Sequence, residues 1–271
     1  MIVIRLQGGM GNQMFQYAFG RALSMRSNRQ LFLETSRLTT ANTFPRMYEL
    51  NNFSISAKII SLAELTEFAR SEGLYARVSQ SKQGFNSAAL LPPSHAISIY
   101  DGHWQSPLYF TDVQETVKRD FASPFTSTIE QDTLCRSIRG SDSICLHVRR
   151  TDYLWASAPM KVIQPSFYHR AIAHIDERVA RPRFYVFSDD INWCRPYFKF
   201  LSNCVFVEAL PWSTFVLMTN CRHFIIANST FSWWAAWLGG NSDKTVIAPT
   251  EWFHGREQPS RDIIPKDWVR L

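Results

Sequence analysis

The chain is 271 residues long, 45% hydrophobic and 19% charged, with no low-complexity run, which excludes disordered and fibrous classes and supplies core enough for two domains. Its formal net charge of +6 is spread along the sequence, which favours specific anion sites over a polybasic arm. The five cysteines, Cys135, Cys145, Cys194, Cys204 and Cys221, show no C-x-x-C pair and no zinc spacing, so they read as reduced thiols.

The opening run IVIRL is followed by Gly8-Gly9-Met10-Gly11 and by a segment from Asn12 to Ser27 with helical apolar spacing, so strand, glycine turn and helix are predicted. Residues 31–35 supply the next strand of a βαβ opening. Between residues 36 and 95 the pattern predicts only a helix over 61–72, with Ser61 and Glu64 placed as a capping box. Residues 97–110 join a strand to an aromatic loop, and 112–121 form a helix that Pro124 ends.

A second series follows, with strands over 143–150, 183–188, 204–209, 223–228 and 244–249. Helical segments lie between them at 167–180, from Asp189, at 213–221 and at 231–238. Continuously apolar strands alternating with helices are the pattern of a parallel sheet covered on both faces. A boundary near 122–142 is expected, dividing one α/β domain, 1–125, from a second, 126–271.

Ligands of such sheets bind where loops leave the carboxyl ends of strands, and three successive strands here end in HVRRTDY, FSDD and ANSTFSWW. If the first strand continues, His147, Arg149 and Thr151 share one face. The Arg149-Arg150 pair suits a diphosphate, because a guanidinium forks onto phosphate oxygens and keeps its charge; a strand-end ion pair with an aspartate explains it equally well. Ser188 reads as the cap of the following helix, whereas Asp190 is the candidate for a guanine edge. Asn228, Ser229, Thr230 and Ser232 sit at a predicted helix N-terminus, where backbone N–H groups favour an anion; a capped helix with core tryptophans is the plainer reading.

The glycine loop lacks the Lys-Ser/Thr of a Walker motif and the third glycine of a dinucleotide fingerprint. Asn12 and Gln13 are candidates to bond sugar hydroxyls, and Trp104 and Gln105 to contact a sugar or acceptor, although in a chain with nine tryptophans a core role explains the aromatic loop at least as well. No metal spacing occurs among the seven histidines, so no metal and no cofactor is expected. Asp152 and His103 are the candidate bases, with orientation of Arg149 or Arg150 as the alternative role of Asp152.

Taken in order, GGMGNQMFQYA, GHWQSPLYF, HVRRTDY, FSDD and HFIIANSTFSWWAAWL resemble the α-1,2-fucosyltransferases of glycosyltransferase family 11 over nearly the whole chain. The HVRRTD core also looks like that of α-1,6-fucosyltransferases. The resemblance implies an α/β GT-B fold of two Rossmann-like domains with the active site in the cleft between them. It further implies GDP-β-L-fucose as donor, a galactose-terminated glycan as acceptor, inversion, and no obligatory metal. By the same resemblance Arg149 binds the β-phosphate, Arg150 supports it, His147 and Asp190 sit near guanine, and Ser229 to Ser232 hold phosphate. The chain departs from the family at Ala209-Leu210-Pro211-Trp212-Ser213, a segment commonly acidic there, and residues 36–95 match no motif.

The alternatives are the same fold with another nucleotide-sugar or linkage, or a non-catalytic glycan- or RNA-binding protein. The sequence lacks the basic helix, RNP motif or zinc knuckle of an RNA binder, so no nucleic acid is expected. No stretch reaches the roughly 18 apolar residues of a membrane span, and the opening residues lack secretory features, so a cytoplasmic protein is expected. Its peripheral membrane contact would come through a lipid-linked acceptor.

Overall fold

The apolar run at the start forms β1 (Ile2–Arg5), the middle strand of a parallel sheet. The computed structural model describes residues 1–40, 46–71, 73–122, 133–155, 160–253 and 257–271. The chain divides into two compact units, Met1–Pro124 and Phe125–Leu271. The helix stop expected at Pro124 and the expected boundary at residues 125 and 126 lie outside the described residues.

In the N-terminal unit β1 is followed by α1 (Met10–Ser27), β2 (Leu31–Glu34), α2 (Ser36–Thr40), β3 (Lys58–Ile60), α3 (Leu62–Ser71), β4 (Tyr75–Ser79), β5 (Ile97–Asp101) and α4 (Gln114–Asp120). The strand order is β3-β2-β1-β5-β4, all parallel. The capping box forms as expected: Ser61 N–H donates to Glu64 Oε2 at 2.8 Å, and Glu64 N–H donates to Ser61 Oγ at 3.2 Å. Helix α1 ends at Asn28, whose φ of 50° is the left-handed conformation that asparagine tolerates.

Helix α1 lies close on the sheet because it carries Gly20 where the two meet. A Cβ at that position would lie 2.5 Å from Ile4 Cγ1 and 2.9 Å from Leu31 Cδ1. Gly20→Ala therefore overpacks the seam, and urea denaturation should show a loss of about 1–3 kcal/mol.

In the C-terminal unit α5 (Thr133–Arg139) leads into β6 (Asp142–Val148), α6 (Pro165–Asp176), β7 (Pro182–Ser188), α7 (Ile191–Tyr197) and β8 (Cys204–Val207). Then come α8 (Pro211–Thr219), β9 (His223–Ile225), α9 (Thr230–Leu238), β10 (Val246–Ala248), α10 (Glu257–Ile263) and β11 (Val269–Arg270). The strands run parallel in the order β11-β10-β9-β6-β7-β8. Ile144, Leu146 and Val148 of β6 pack with Phe167, Ala171 and Ile175 of α6, which buries one face of the sheet.

The fold is thus α/β with two parallel sheets. The cysteines are free thiols, four buried and Cys204 half-buried. Among the described residues no helix is long and apolar enough to cross a membrane.

Candidate active site

Strand β6 stops at Val148, so Arg149 and Thr151 leave the strand and do not share a strand face with His147 as expected. Asp189, just past the end of β7, turns the chain. Its Oδ1 accepts from Arg150 N–H at 2.9 Å and its Oδ2 from Thr151 N–H at 3.1 Å, and the Thr151 hydroxyl also donates to Oδ2. Three local donors on one carboxylate fix the loop more firmly than strand pairing would, since charge-assisted bonds are the stronger kind.

The same oxygen of Asp189 lies 3.3 Å from Arg149 Nε, while Arg149 Nη2 lies 2.8 Å from Asp152 Oδ1. Two carboxylates thereby hold two edges of one guanidinium. Burial opposes the Arg149 charge, but Asp152 and Asp189 outweigh it and raise its pKa above the ordinary arginine value. Arg150 is held differently: its Nε is 3.2 Å from Asp190 Oδ2, and its guanidinium carbon lies 3.9 Å from the centre of the Trp193 ring, a cation–π contact. Trp193 in turn stacks on Tyr197 at 4.5 Å.

Asp190, not Ser188, caps α7. Its Oδ1 accepts from Trp193 N–H at 3.2 Å, and Ser188 Oγ accepts from Asp190 N–H at 2.9 Å. Both oxygens of Asp190 are engaged within the unit, which leaves it poorly placed for the guanine contact expected of it.

His147 is 6% exposed, and its Nδ1 is buried with no hydrogen-bond partner. Burial, with the Arg149 charge adding to it, pushes its pKa down to about 4, so the ring is neutral at physiological pH. Its ring centre lies 6.4 Å from that of Phe231 in α9.

The loop after β9 is tied to the arginine loop by Tyr153, whose hydroxyl donates to the Asn228 carbonyl at 3.0 Å. Asn228 is a brace: its Nδ2 donates to the carbonyls of Lys161 at 3.0 Å and Trp252 at 3.3 Å. Ser229 stands at the N-cap of α9 but makes no side-chain cap, and Thr230 begins the helix. Ser232 does not fit the phosphate role expected of it. It is fully buried, and its hydroxyl donates to Ser229 O at 3.2 Å.

The carboxyl edge of the N-terminal sheet carries the other candidates. Gly8 has φ +78°, and a Cβ there would sit 2.3 Å from Asn12 Nδ2, so the turn requires glycine. Asn12 Oδ1 accepts from Gln105 Nε2 at 2.7 Å, which joins the first turn of α1 to the loop after β5. Gln13 contradicts the sugar-facing expectation: it is buried, donates to Gly8 O and Met47 O at 3.0 and 2.8 Å, and accepts from Glu49 N–H at 3.0 Å. Trp104 contradicts it too, being buried and stacked on Phe19 of α1 at 4.2 Å. His103 N–H donates to Gln80 Oε1 at 2.9 Å; its Nδ1 is buried without a partner, and burial lowers its pKa.

Of the two adjacent acids, sequence reasoning favoured Asp190, yet Asp189 is the organising residue. Tyr153 and Trp193 were likewise missed. A signal for Asp189 existed in its place directly after a buried strand, but nothing in the sequence says which of two neighbouring carboxylates turns inward.

Solved structures share this fold. Fucosyltransferase NodZ from Bradyrhizobium has a TM-score of 0.51 at 12% identity, covering 88% of this chain and 93% of that one. The fold is that of the GT-B glycosyltransferases. Among proteins of known sequence, an alpha-1,2-colitosyltransferase of Escherichia coli is 32% identical, covering 100% of this chain and 99% of its own length. The O-antigen biosynthesis glycosyltransferase WbnK of Escherichia coli is 28% identical over 98% of this chain and 99% of its own. Galactoside alpha-(1,2)-fucosyltransferase 1 of Leontopithecus chrysomelas is 27% identical over 97% of this chain and 73% of its own. The glycosyl transferase family 11 model matches residues 1–271, and the chain belongs to that family.

Proposed function

We propose that the protein is an inverting glycosyltransferase that moves L-fucose from GDP-β-L-fucose to the 2-hydroxyl of a terminal galactoside. The observation that carries the reading is the Arg149 guanidinium, gripped by Asp152 and Asp189 at the carboxyl edge of β6 in a chain of this family. A guanidinium pre-oriented by two carboxylates is ready to meet charge that develops on a leaving diphosphate. In the reaction the galactoside O2 bonds to C1 of fucose as the C1–O bond to the β-phosphate breaks. GDP leaves, the β linkage becomes α, and the hydroxyl proton passes to a base or to water. Arg149 stabilises the departing phosphate, Arg150 stands beside it on Trp193, and the N-terminus of α9, where Ser229 makes no side-chain cap, faces an anion favourably. Neutral His147 can offer an N–H or a lone pair to the base without adding charge.

The family relatives named for α-1,2 transfer and for O-antigen biosynthesis support the linkage and a surface-glycan acceptor. A second reading is favoured by the 32% identity to the colitosyltransferase: the donor sugar is colitose, the 3-deoxy analogue of L-fucose. Thermal shift with GDP-fucose, GDP-colitose, GDP-mannose and UDP-galactose separates the readings. The expected result is stabilisation by the first of these, and a response to the UDP-sugar alone would refute both. Turnover is expected to survive EDTA, because the arginines supply the charge that a metal would. A cytoplasmic site of action, with peripheral membrane contact only through a lipid-linked acceptor, belongs to the same proposal and is open to cell fractionation.

Asp152 is already committed to Arg149 at 2.8 Å, so we assign it to orienting that residue rather than to proton abstraction. Asp152→Asn should weaken GDP binding about tenfold along with kcat/KM. A true base would instead spare GDP affinity and lower kcat by about 10² to 10⁴, the pattern to look for in His103→Ala.

A further inference from the structure

Glu34, Arg5 and Asp101 stand in one row across the carboxyl edge of the N-terminal sheet, because the register pairs Arg5 with Glu34 on β2 and with Asp101 on β5. Period-two alternation puts them on the face of Val3, Phe32 and Ile99, which pack with Ile60 and Leu65. The row therefore caps an apolar layer.

Arg5 Nε lies 3.0 Å from Glu34 Oε2, and its Nη1 lies 3.5 Å from Asp101 Oδ2. Two more guanidinium groups converge on Asp101: Arg77 of the edge strand β4, with Nη2 at 2.7 Å from Oδ2, and Arg37 of α2, bonded to Oδ1. Glu34 Oε1 accepts from Ser36 N–H at 2.6 Å, so that carboxylate is turned inward.

Three guanidinium groups thus face two carboxylates, and the cluster carries one surplus positive charge. Arg5 alone bridges both acids, so Arg37 and Arg77 add positive charge beyond what joining β1, β2 and β5 requires. Asp101 is 6% exposed whereas the Arg77 side chain is 53% exposed, so the surplus lies at the rim. Among the described residues Arg37 and Arg77 have no partner besides Asp101, and their remaining N–H donors are available. Parallel α/β sheets bind ligands outside this edge, where the first turn of α1 with Asn12 and the loop after β5 with Gln105 also lie.

We propose that Arg37 and Arg77, oriented by buried Asp101, form an acceptor subsite for an anionic oxygen group, a carboxylate or phosphate carried by the glycan. Naming the ligand an acceptor rests on the glycosyl-transfer reading above; the anion site itself does not. The two sources of such a group are a uronic acid within the glycan and the diphosphate of a lipid-linked glycan.

Calorimetry on the full chain tests this with lactose, galactosyl glucuronate and lactosyl 1-diphosphate as probes. One anionic probe should bind about tenfold more tightly than lactose, and which one does so names the source. The preference should shrink in Arg77→Gln, persist in part in Arg77→Lys, and fade between about 50 mM and about 500 mM salt. Equal affinity for all three probes, or an undiminished preference in a folded Arg77→Gln protein, overturns the proposal. If the network were merely structural, Arg77→Gln would lower Tm and leave the ratio of affinities unchanged. A GDP titration of the same samples reports on the nucleotide reading alone, so the two can fail separately.

Discussion

Arg149→Lys should lower kcat/KM by about 10² or more, which is about 2.7 kcal/mol of lost transition-state stabilisation. Lysine keeps the charge, but the arginine is held at two edges, Nε by Asp189 at 3.3 Å and Nη2 by Asp152 at 2.8 Å. These two ion pairs restrain the guanidinium between the two carboxylates. An ammonium on a flexible stem can meet one carboxylate or the other, and it presents no fork to a phosphate. Steady-state kinetics checked against near-UV circular dichroism distinguishes this from unfolding. Near-normal kinetics would remove Arg149 from the site.

The second large effect is expected at Asp189. One carboxylate there receives the backbone N–H groups of Arg150 and Thr151 and the Thr151 hydroxyl, and pairs with Arg149. Asparagine keeps one acceptor oxygen and turns an NH₂ group toward the remaining donors, so at least one of the loop's donors loses its partner and the charge that strengthened all of them is gone. Asp189→Asn should therefore weaken GDP binding at least tenfold and lower kcat/KM by about 10² to 10³, because the loop that aims both arginines loosens. Asp190→Asn is the control. Asparagine caps a helix as well as aspartate does, and Arg150 keeps its seat on Trp193, so the loss there should stay within about tenfold. Equal losses at the two positions would contradict the central place given to Asp189.

The strands of the C-terminal unit were legible because β6 and β7 are covered on both faces and their sequences are continuously apolar. The stretch from 36 to 95 was not, and burial explains why. Strand β4 alternates exposed with half-buried residues, and Lys58 and Ile59 of β3 are exposed, so these edge strands leave no apolar run. Strand β11 is two residues long and has no periodicity to detect.

At the site, the arginine pair stood out because charge rarely follows a buried strand directly. Gln13, Trp104 and Ser232 misled for one shared reason. Each is a polar or aromatic residue in a loop or helix start, where sequence cannot say whether its bonding capacity is used within the protein. Here the Gln13 amide is taken up by backbone groups of Gly8, Met47 and Glu49, the Trp104 ring by Phe19, and the Ser232 hydroxyl by the carbonyl of Ser229. The strand-face grouping of His147, Arg149 and Thr151 failed because Asp189 captures the N–H groups of Arg150 and Thr151 and turns the backbone out of the sheet.

The measurement that bears most directly on the proposed activity is incubation of the protein with GDP-β-L-fucose and lactose, with GDP release followed over time and the product linkage read by two-dimensional NMR. The account predicts stoichiometric GDP and a single new α-anomeric fucose signal correlated with galactose C2. Release of GDP without a fucosylated product, or fucose joined in the β configuration or at another hydroxyl, would contradict it.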